Sequence, residues 1–322
     1  MFIDAMKPPA TASRSRIAHW IRRELDSAPP KAKSLVVTVW GDAIAPHGGR
    51  AWLSGLIRLL APLGLNERLV RTSVYRLSGE GWLANRRNGR QSVYWLTPQG
   101  LRRFENAYRR IYAAPSDGWD GQWDVVLVPP AAIPATARRE LRKELWWEGF
   151  GPLGPGLFVR PARRGESAIL AATLRALGIQ RHVTVIEGRD VAGTGGRTLR
   201  NFVRDCWDLD ALASEYRAFI KRFVNVLAAF RDTPADPEQC FLVRTLLIHT
   251  FRRVTLHDPQ LPLELLPPRW PAATAYGLCR DFYRLTHKRA EEHLAAMLES
   301  QQGRLPPAAA YFYQRFGGLQ DI

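Results

Sequence analysis

Residues 66–78 read NERLVRTSVYRLS and have the spacing of one short amphipathic helix. At about 100° per residue, several side chains fall on one side and are predicted to pack on the protein. These are Leu69, Val70, Ser73 and Leu77. The side chains predicted to face outward are Glu67, Arg68, Arg71, Thr72 and Tyr75. With Asn66 as its N-cap, this segment has the pattern of a helix that reads base edges from its first turns.

Residues 81–96 read GWLANRRNGRQSVYWL and predict a two-stranded ribbon after this helix. Asn88-Gly89 suits a type I′ turn, in which both central residues take positive φ. Three arginines on one tight turn repel each other unless phosphates lie nearby. The ribbon residues expected to contact DNA are Arg86, Arg87, Asn88 and Arg90. A helix followed by a basic hairpin indicates a winged helix-turn-helix, and the alternative is an ordinary surface helix beside a non-binding wing.

The residues around this pair of elements supply the rest of a domain. Helical spacing predicts helices over residues 17–25, from residue 35 onward, over 51–60 and over 99–112. Residues 1–113 hold 19 lysines and arginines against 7 acidic residues, whereas the whole chain has a net charge of +16. A polyanion is therefore expected to bind the first third of the chain.

The composition argues against several other classes of protein. The first sixteen residues lack the apolar core of a signal peptide, and no run of about 18 apolar residues predicts a membrane span. Cys206, Cys240 and Cys279 are too far apart for a zinc ribbon or a redox pair. His287 and His293 point in different directions around a helix, so no metal site is expected. We expect a cytoplasmic globular protein with no cofactor and no membrane partner.

Motifs in two parts of the chain carry a resemblance to a known family. The first part has Trp-Gly-Asp at 40–42, Arg-Thr-Ser-Val-Tyr-Arg-Leu at 71–77 and Tyr-Trp-Leu-Thr-Pro-Gln-Gly at 94–100. The second has Trp-Asp-Leu at 207–209, Glu-Leu-Leu-Pro at 264–267 and Trp-Pro at 270–271. Together these motifs resemble the PaaX family, which are transcriptional repressors of phenylacetic acid degradation.

The middle of the chain alternates predicted strands and helices. Strands are predicted over 123–129, 156–161 and 182–186, helices over 138–147 and 168–177, and a loop over 151–155. This order fits a small open α+β sheet of the ferredoxin-like kind. The resemblance implies a Cas2-like fold here, with a role in joining domains or protomers. Residues 188–193 have phosphate-loop spacing, but Thr194 replaces the required lysine, so residues 193–196 are interpreted as a linker.

The last part of the chain predicts an all-α region. Helices are predicted over 199–230 with a break near Asp208, over 238–254 and over 272–298. Residues 258–271 form a proline-rich segment whose leucines need to be buried, either as a ligand wall or as a clamp between two helices. The predicted fold is therefore α+β and multidomain. Its domains are a winged helix-turn-helix at 1–113, a Cas2-like linker or dimerisation domain at 114–192 and a helical effector domain at 193–322.

The resemblance implies a homodimer that binds a double-stranded DNA operator and is released by a CoA thioester such as phenylacetyl-CoA. Such an effector carries phosphates and an apolar acyl group, so its site needs basic and aromatic side chains. The residues expected to bind it are Arg244, Arg252, Arg253, Trp270 and Tyr276. The alternative is that these arginines pair with Asp258 or Glu264 and hold the fold.

Two other functions are compatible with the sequence. Some proteins of the Cas2-like fold are nucleases, and Asp120 or Asp124 would be the acid of such a metal-dependent site; the alternative is a capping or solvent-facing acid. An architectural DNA-binding protein without a ligand is the second possibility. The sequence offers no arrangement typical of catalysis, and we expect no enzymatic activity.

Overall fold

The computed structural model describes residues 10–113, 118–129, 131–163, 166–189, 198–232, 235–299 and 303–319. The chain divides into two compact units. Unit 1 contains Met1–Ala114, Arg217–Arg253 and Thr274–Ile322, and unit 2 contains Pro115–Tyr216 and Val254–Ala273. The helical domain predicted over residues 193–322 is thus distributed over both units, because its apolar side chains pack on the first domain and on the central sheet as well as on each other.

The winged helix in unit 1 combines helices with a three-stranded antiparallel sheet. The helices are α1 (Ala10–Ser27), α2 (Ala32–Val39), α3 (Leu53–Leu60), α4 (Glu67–Gly79) and α5 (Pro98–Tyr112). The strands are β1 (Arg50–Trp52), β2 (Leu83–Asn88) and β3 (Gln91–Leu96), in the order β1-β3-β2. The helix predicted from residue 51 begins instead at Leu53, since Ala51 and Trp52 pair with β3 and extend the sheet.

Unit 2 is built on a four-stranded antiparallel sheet with the ferredoxin-like alternation of strands and helices. Its elements are β4 (Gln122–Leu127), α6 (Ala135–Trp147), β5 (Gly151–Gly154), β6 (Leu157–Pro161), α7 (Ser167–Ala176) and β7 (Thr184–Arg189). The strand order is β5-β6-β4-β7. Residues 151–155 were predicted to be a loop, and that prediction is wrong: Gly151 and Pro152 pair with Val159 and Phe158. Glycine and proline disfavour strands, but here the pairing partner on β6 decides the conformation.

The two faces of this sheet bury different parts of the chain. Val126 and Phe158 face α6 and α7, and the neighbouring Trp123 and Val159 face the opposite side, as the two-residue period of a strand requires. On that opposite side lie Leu261, Leu265 and Leu266 of the proline-rich segment. The prediction that this segment buries its leucines is confirmed for these three residues and is wrong for Leu263, which is 50% exposed.

The remaining helices are α8 (Leu199–Cys206), α9 (Leu209–Asp232), α10 (Pro237–Thr255), α11 (Pro271–Leu298) and the short α12 (Ala310–Tyr313). The predicted break near Asp208 is confirmed, since Trp207 leaves the helix with extended backbone angles and Asp208 caps α9. Among the helices that the structure describes, none is both long and apolar enough to cross a bilayer.

A buried carboxylate joins the winged helix to the later helices within unit 1. After α2, a π-helical turn over Trp40–Ile44 carries Asp42, which is 2% exposed. Its carboxylate accepts hydrogen bonds from the hydroxyls of Tyr112 on α5 and Tyr283 on α11. Arg315, close to the C-terminus, donates to the Asp42 carbonyl oxygen at 2.8 Å. Elements far apart in the sequence therefore meet at one charge.

A second carboxylate continues this network. Glu291 on α11 accepts a 2.9 Å hydrogen bond from Arg244 on α10 and lies 2.6 Å from Nε2 of His47. Burial alone would raise the pKa of Glu291, but the hydrogen bonds from His47 and Arg244 lower it. Burial raises the pKa of Tyr283 far above its ordinary value, so this hydroxyl stays a donor to Asp42.

Gly100, in the first turn of α5, is required by a close backbone approach. A Cβ at this position would lie 2.2 Å from the carbonyl oxygen of Trp82. We therefore expect Gly100→Ala to lower the free energy of unfolding by about 1–3 kcal/mol, measured by urea denaturation. Gly79→Ala is the control, because a Cβ there meets no atom within 4 Å, and it should leave stability unchanged or raised. Equal stability of the two variants would contradict this account.

His249 on α10 predicts a pH dependence of stability. Its Nδ1 lies 2.8 Å from the hydroxyl of Thr38, and burial, together with the nearby Arg252 and Arg253, lowers its pKa from 6.5 to about 3. Between these values the unfolded chain binds the proton and the folded chain does not, so stability falls as the pH falls below 6.5.

His249→Asn should therefore flatten the dependence of unfolding free energy on pH, removing up to about 1.4 kcal/mol per pH unit of slope. Urea titrations at several pH values between about 4 and 6.5 measure the slope. The exposed His182 provides the control, and His182→Asn should keep the slope of the unchanged protein. A slope in His249→Asn equal to that of the unchanged protein would rule out this histidine as its source.

Candidate nucleic-acid interface

Helix α4 is fixed at its start by a side-chain cap and along its length by a narrow buried stripe. The side chain of Asn66 accepts a hydrogen bond from the backbone N–H of Leu69 at 3.0 Å, which confirms it as the N-cap. The buried residues of the helix are Val70, Ser73, Val74 and Leu77. Because these four span only about 100° around the axis, most of the helix surface remains available to a partner.

One residue of the predicted buried stripe is misplaced. Leu69 is 43% exposed, and Val74 is fully buried in its stead. Leu69 lies about 40° beyond Ser73 at one edge of the stripe, and Val74 lies about 40° beyond Val70 at the other edge, so the helix angle alone does not decide which of the two is buried. The packing of the helix on the rest of the domain buries the Val74 edge and leaves Leu69 exposed.

The predicted contact residues of α4 share an exposed surface. Exposed residues on this helix include Arg68, Arg71, Thr72, Tyr75 and Arg76. Tyr75 is 78% exposed, so its ring and hydroxyl are accessible to a partner molecule. Arg76 was not among the predicted residues, although its position about 40° from Thr72 around the helix indicates the same side. The surface presents forked donors and an aromatic ring, which suit base edges and phosphates.

The hairpin differs from its predicted turn by one residue. Asn88 pairs with Gln91 as the last pair of β2 and β3, so the two turn residues are Gly89 and Arg90 rather than Asn88 and Gly89. Gly89 has a φ of 59°, and Arg90 is not among the positive-φ residues of the described chain. This is the pattern of a type II′ turn, so the predicted type I′ turn is wrong. Pairing along the full ribbon decided the register.

The arginines of the hairpin reach solvent in several directions. Arg86, Arg87, Asn88 and Arg90 are all exposed. Arg86 and Arg87 lie on opposite faces of β2, since successive strand residues alternate. Nε of Arg87 donates to the carbonyl oxygen of Gly89 at 3.0 Å, which fixes its guanidinium at the tip. The hairpin thus offers a spread of positive charge of the kind that contacts a DNA backbone.

The three arginines among the five residues predicted to bind an effector lie on α10 in unit 1, where two of them contact other parts of that unit. Arg244 is fully buried and pairs with Glu291 and, at 3.5 Å, with Asp42. Arg252 donates to the carbonyl oxygen of Ser34 and to the hydroxyl of Thr38, both on α2. Arg253 is exposed. Arg244 and Arg252 thus contact residues other than Asp258 and Glu264, the structural partners expected from the sequence.

The two aromatic residues of that predicted site lie in different units. Tyr276 belongs to unit 1, where its ring lies 5.3 Å from that of Phe316. Trp270 belongs to unit 2 and packs near Tyr216 and the core of the proline-rich segment. The contacts within each unit do not bring the five predicted effector-binding residues together into one site. The effector site therefore stays a prediction.

The acidic residues considered for a nuclease have other contacts. Asp124 is buried and accepts a 2.9 Å hydrogen bond from Nε of Arg160, which also pairs with Glu166. Asp120 accepts from the backbone N–H of Gln122, a local capping role. Within the described residues, no group of three or more histidine, cysteine or acidic side chains is arranged to hold a metal ion. The segment 193–196 interpreted as a linker lies outside the described residues.

Three protein-family models, named by their descriptions, match consecutive parts of the chain. "PaaX-like protein" matches residues 31–100, which contain α4 and the hairpin. "PaaX protein central Cas2-like domain" matches residues 116–199, which contain the four-stranded sheet. "PaaX-like protein C-terminal domain" matches residues 207–296. The Cas2-like fold expected for the middle of the chain is confirmed.

Two individual proteins are similar to this chain over most of its length. The transcriptional repressor PaaX of Escherichia coli (strain K12) is 34% identical over 307 residues, covering 95% of this chain and 96% of that protein. A solved structure of an uncharacterized protein from Mycobacterium tuberculosis is similar with a TM-score of 0.52 and 25% identity, covering 82% of this chain and 98% of that one. The chain accordingly belongs to the PaaX family.

Proposed function

We propose that this protein is a DNA-binding transcriptional repressor of an aromatic-acid, phenylacetate, catabolic operon. The observation that carries the proposal is the outward surface of the capped helix α4, with Arg68, Arg71 and Tyr75, beside a hairpin with three exposed arginines. The relative from E. coli is a transcriptional repressor by name. The phenylacetate pathway is what membership of the family implies.

In the proposed complex α4 lies in the major groove, which is about 12 Å wide and admits one helix. Arg68 and Arg71 approach base edges, where a guanidinium recognises O6 and N7 of guanine. Thr72 and Tyr75 lie one turn further along the same side and contact bases or sugar and phosphate. The hairpin arginines bind phosphates and so orient the helix without reading sequence.

A second copy of the chain completes the proposed repressor. A single winged helix reads only a few base pairs, and a homodimer doubles the site with the two-fold symmetry of its operator. The spacing of the two half-sites then reports the distance between the two α4 helices in the dimer. The protein acts on chromosomal DNA, so the proposal places it in the cytoplasm.

Release by a CoA thioester such as phenylacetyl-CoA is the proposed control. Helix α10 carries Arg252, whose hydrogen bonds to Ser34 and Thr38 hold α2 of the winged helix. A ligand phosphate that binds this guanidinium competes with those bonds and changes the support of the DNA-binding domain. The ligand must favour the arrangement that does not bind DNA, since equal affinity for both arrangements shifts nothing.

The DNA contacts predict two different mutant phenotypes. Arg87→Ala should weaken binding to every sequence and lower the slope of log affinity against log salt by about 1, because one phosphate contact is lost. Arg71→Ala should instead relax the preference for one base position by about 1–3 kcal/mol. Fluorescence anisotropy with operator and random duplexes at several salt concentrations measures both effects.

The control for charge is Arg142→Ala, which removes an exposed arginine of α6 in unit 2 and should change neither slope nor preference. Equal, salt-insensitive affinity of the unchanged protein for operator and random duplex would refute the repressor. If Arg87→Ala loses sequence preference while Arg71→Ala keeps it, the proposed roles of helix and hairpin are exchanged.

The effector proposal is tested by adding phenylacetyl-CoA to the protein–operator complex. We expect operator affinity to fall by about tenfold or more, which requires about 1.4 kcal/mol of preferential binding to the DNA-free arrangement. Thermal-shift measurements with the same compound report its binding to the free protein. CoA alone, phenylacetate alone and acetyl-CoA separate the contributions of the nucleotide and the acyl group.

Arg253→Ala offers a matched test of the expected ligand residues, because this arginine is exposed and its loss leaves the Arg244 and Arg252 contacts in place. It should weaken the effect of phenylacetyl-CoA while operator binding without ligand stays as before. If none of the compounds shifts the melting temperature and none releases the DNA, an architectural DNA-binding protein is favoured instead.

A further inference from the structure

An acidic residue stands among the basic residues on the outward side of α4. Glu67 is the first residue of the helix, and its side chain is 60% exposed. Its Oε1 accepts a 2.7 Å hydrogen bond from Nε of Arg71 and lies 2.6 Å from Nη2 of the same guanidinium, as an ion pair. The two residues are four apart, so they are neighbours on the helix surface.

The position of this carboxylate is unfavourable for general DNA binding. A negative charge on a surface that approaches phosphates opposes the long-range attraction of the arginines around it. Such an exposed pair also contributes little to stability, because solvent screens it and both side chains lose freedom. Glu67 also stabilises the helix through the positive end of the helix dipole at its N-terminus, but any acidic residue in the first turn would have the same effect, so this effect does not explain its contact with Arg71.

The contact has a geometric consequence for Arg71. A guanidinium is planar and has two donor edges that can bind an acceptor pair: one formed by Nε and Nη2, the other by Nη1 and Nη2. Glu67 occupies the edge that contains Nε. The edge with the two terminal nitrogens remains directed away from the carboxylate, at the tip of the side chain.

That tip is the part of the arginine that reaches furthest from the helix axis. Its two parallel N–H groups match the spacing of O6 and N7 of guanine in the major groove. An arginine held at its side edge loses fewer rotamers on binding than a free one, so recognition costs less conformational entropy. The restraint favours a base that accepts both bonds over one that accepts a single bond.

We propose that Glu67 is a positioning residue for sequence recognition, which holds Arg71 by its Nε edge so that the Nη1–Nη2 edge reads a guanine in each half-site. This inference rests on the proposed function, because it requires α4 to lie in the major groove. It adds a residue that opposes non-specific binding and increases discrimination at one base pair. Glu67 acts through Arg71 and not on the base itself.

The test is binding-site selection from a randomised duplex library, followed by affinity measurements on the selected site and on its single-base variants. In the unchanged protein we expect a guanine whose preference disappears in Arg71→Ala. Glu67→Ala should reduce discrimination at that same position by about tenfold, which is within the range of one bidentate contact. Its affinity for random duplex should rise, because a negative charge has left the DNA-facing surface.

The double variant distinguishes positioning from an independent contact. In the Arg71→Ala background, Glu67→Ala should change discrimination at that position no further, since its target is gone. Glu67→Gln keeps an oxygen acceptor and should retain more of the preference than Glu67→Ala. A role limited to helix stability would lower binding to all sequences alike and would leave base preference unchanged.

Glu80→Ala is the matched control for charge. Glu80 lies at the other end of α4 and pairs with Lys33, so its loss removes the same charge without touching Arg71. It should leave discrimination as in the unchanged protein. If the unchanged protein selects no sequence, the proposed function fails and this inference with it. If it selects a site and Glu67→Ala keeps the full guanine preference, the inference alone is overturned.

Discussion

The buried charge of Asp42 is the constraint on which unit 1 depends. A carboxylate removed from water is costly unless donors surround it, and here they come from three distant places in the chain. Tyr112, Tyr283 and Arg315 have to meet at one point, and this requires α5, α11 and the C-terminal segment to be in place together. Because desolvation offsets much of the attraction between buried charges, removing one member of the network is costlier than its net contribution to stability.

This constraint explains why the winged helix and the later helices form one unit. Helix α10 contributes Arg244 to the carboxylate network and Arg252 to the support of α2, and α11 contributes Tyr283 and Glu291. A binding event on α10 or α11 therefore acts on the same body that carries the DNA-facing surface. The proposed control by a ligand would therefore need no separate signalling domain.

Local signals predicted much of this structure, and their failures have identifiable causes. The Asn66 cap, the break at Asp208 and the basic hairpin depend on neighbouring residues and were recognised correctly. The side of Leu69 and the turn at Gly89 were wrong. In both cases apolar character or a favoured dipeptide suggested one answer, while packing and strand register imposed another.

The sequence by itself determined the family and the order of folds, because these depend on local patterns, and its charge distribution led to the proposal of which residues contact DNA. Tertiary structure alone decided that Arg244 and Arg252 hold the fold, since their partners Asp42 and Thr38 lie about two hundred positions away. It also decided that Arg160 neutralises Asp124. The contact between Glu67 and Arg71, in contrast, is local to one helix, since the two residues are four positions apart. The sequence shows which side chains can donate, accept or carry charge, but the fold decides which groups those side chains contact.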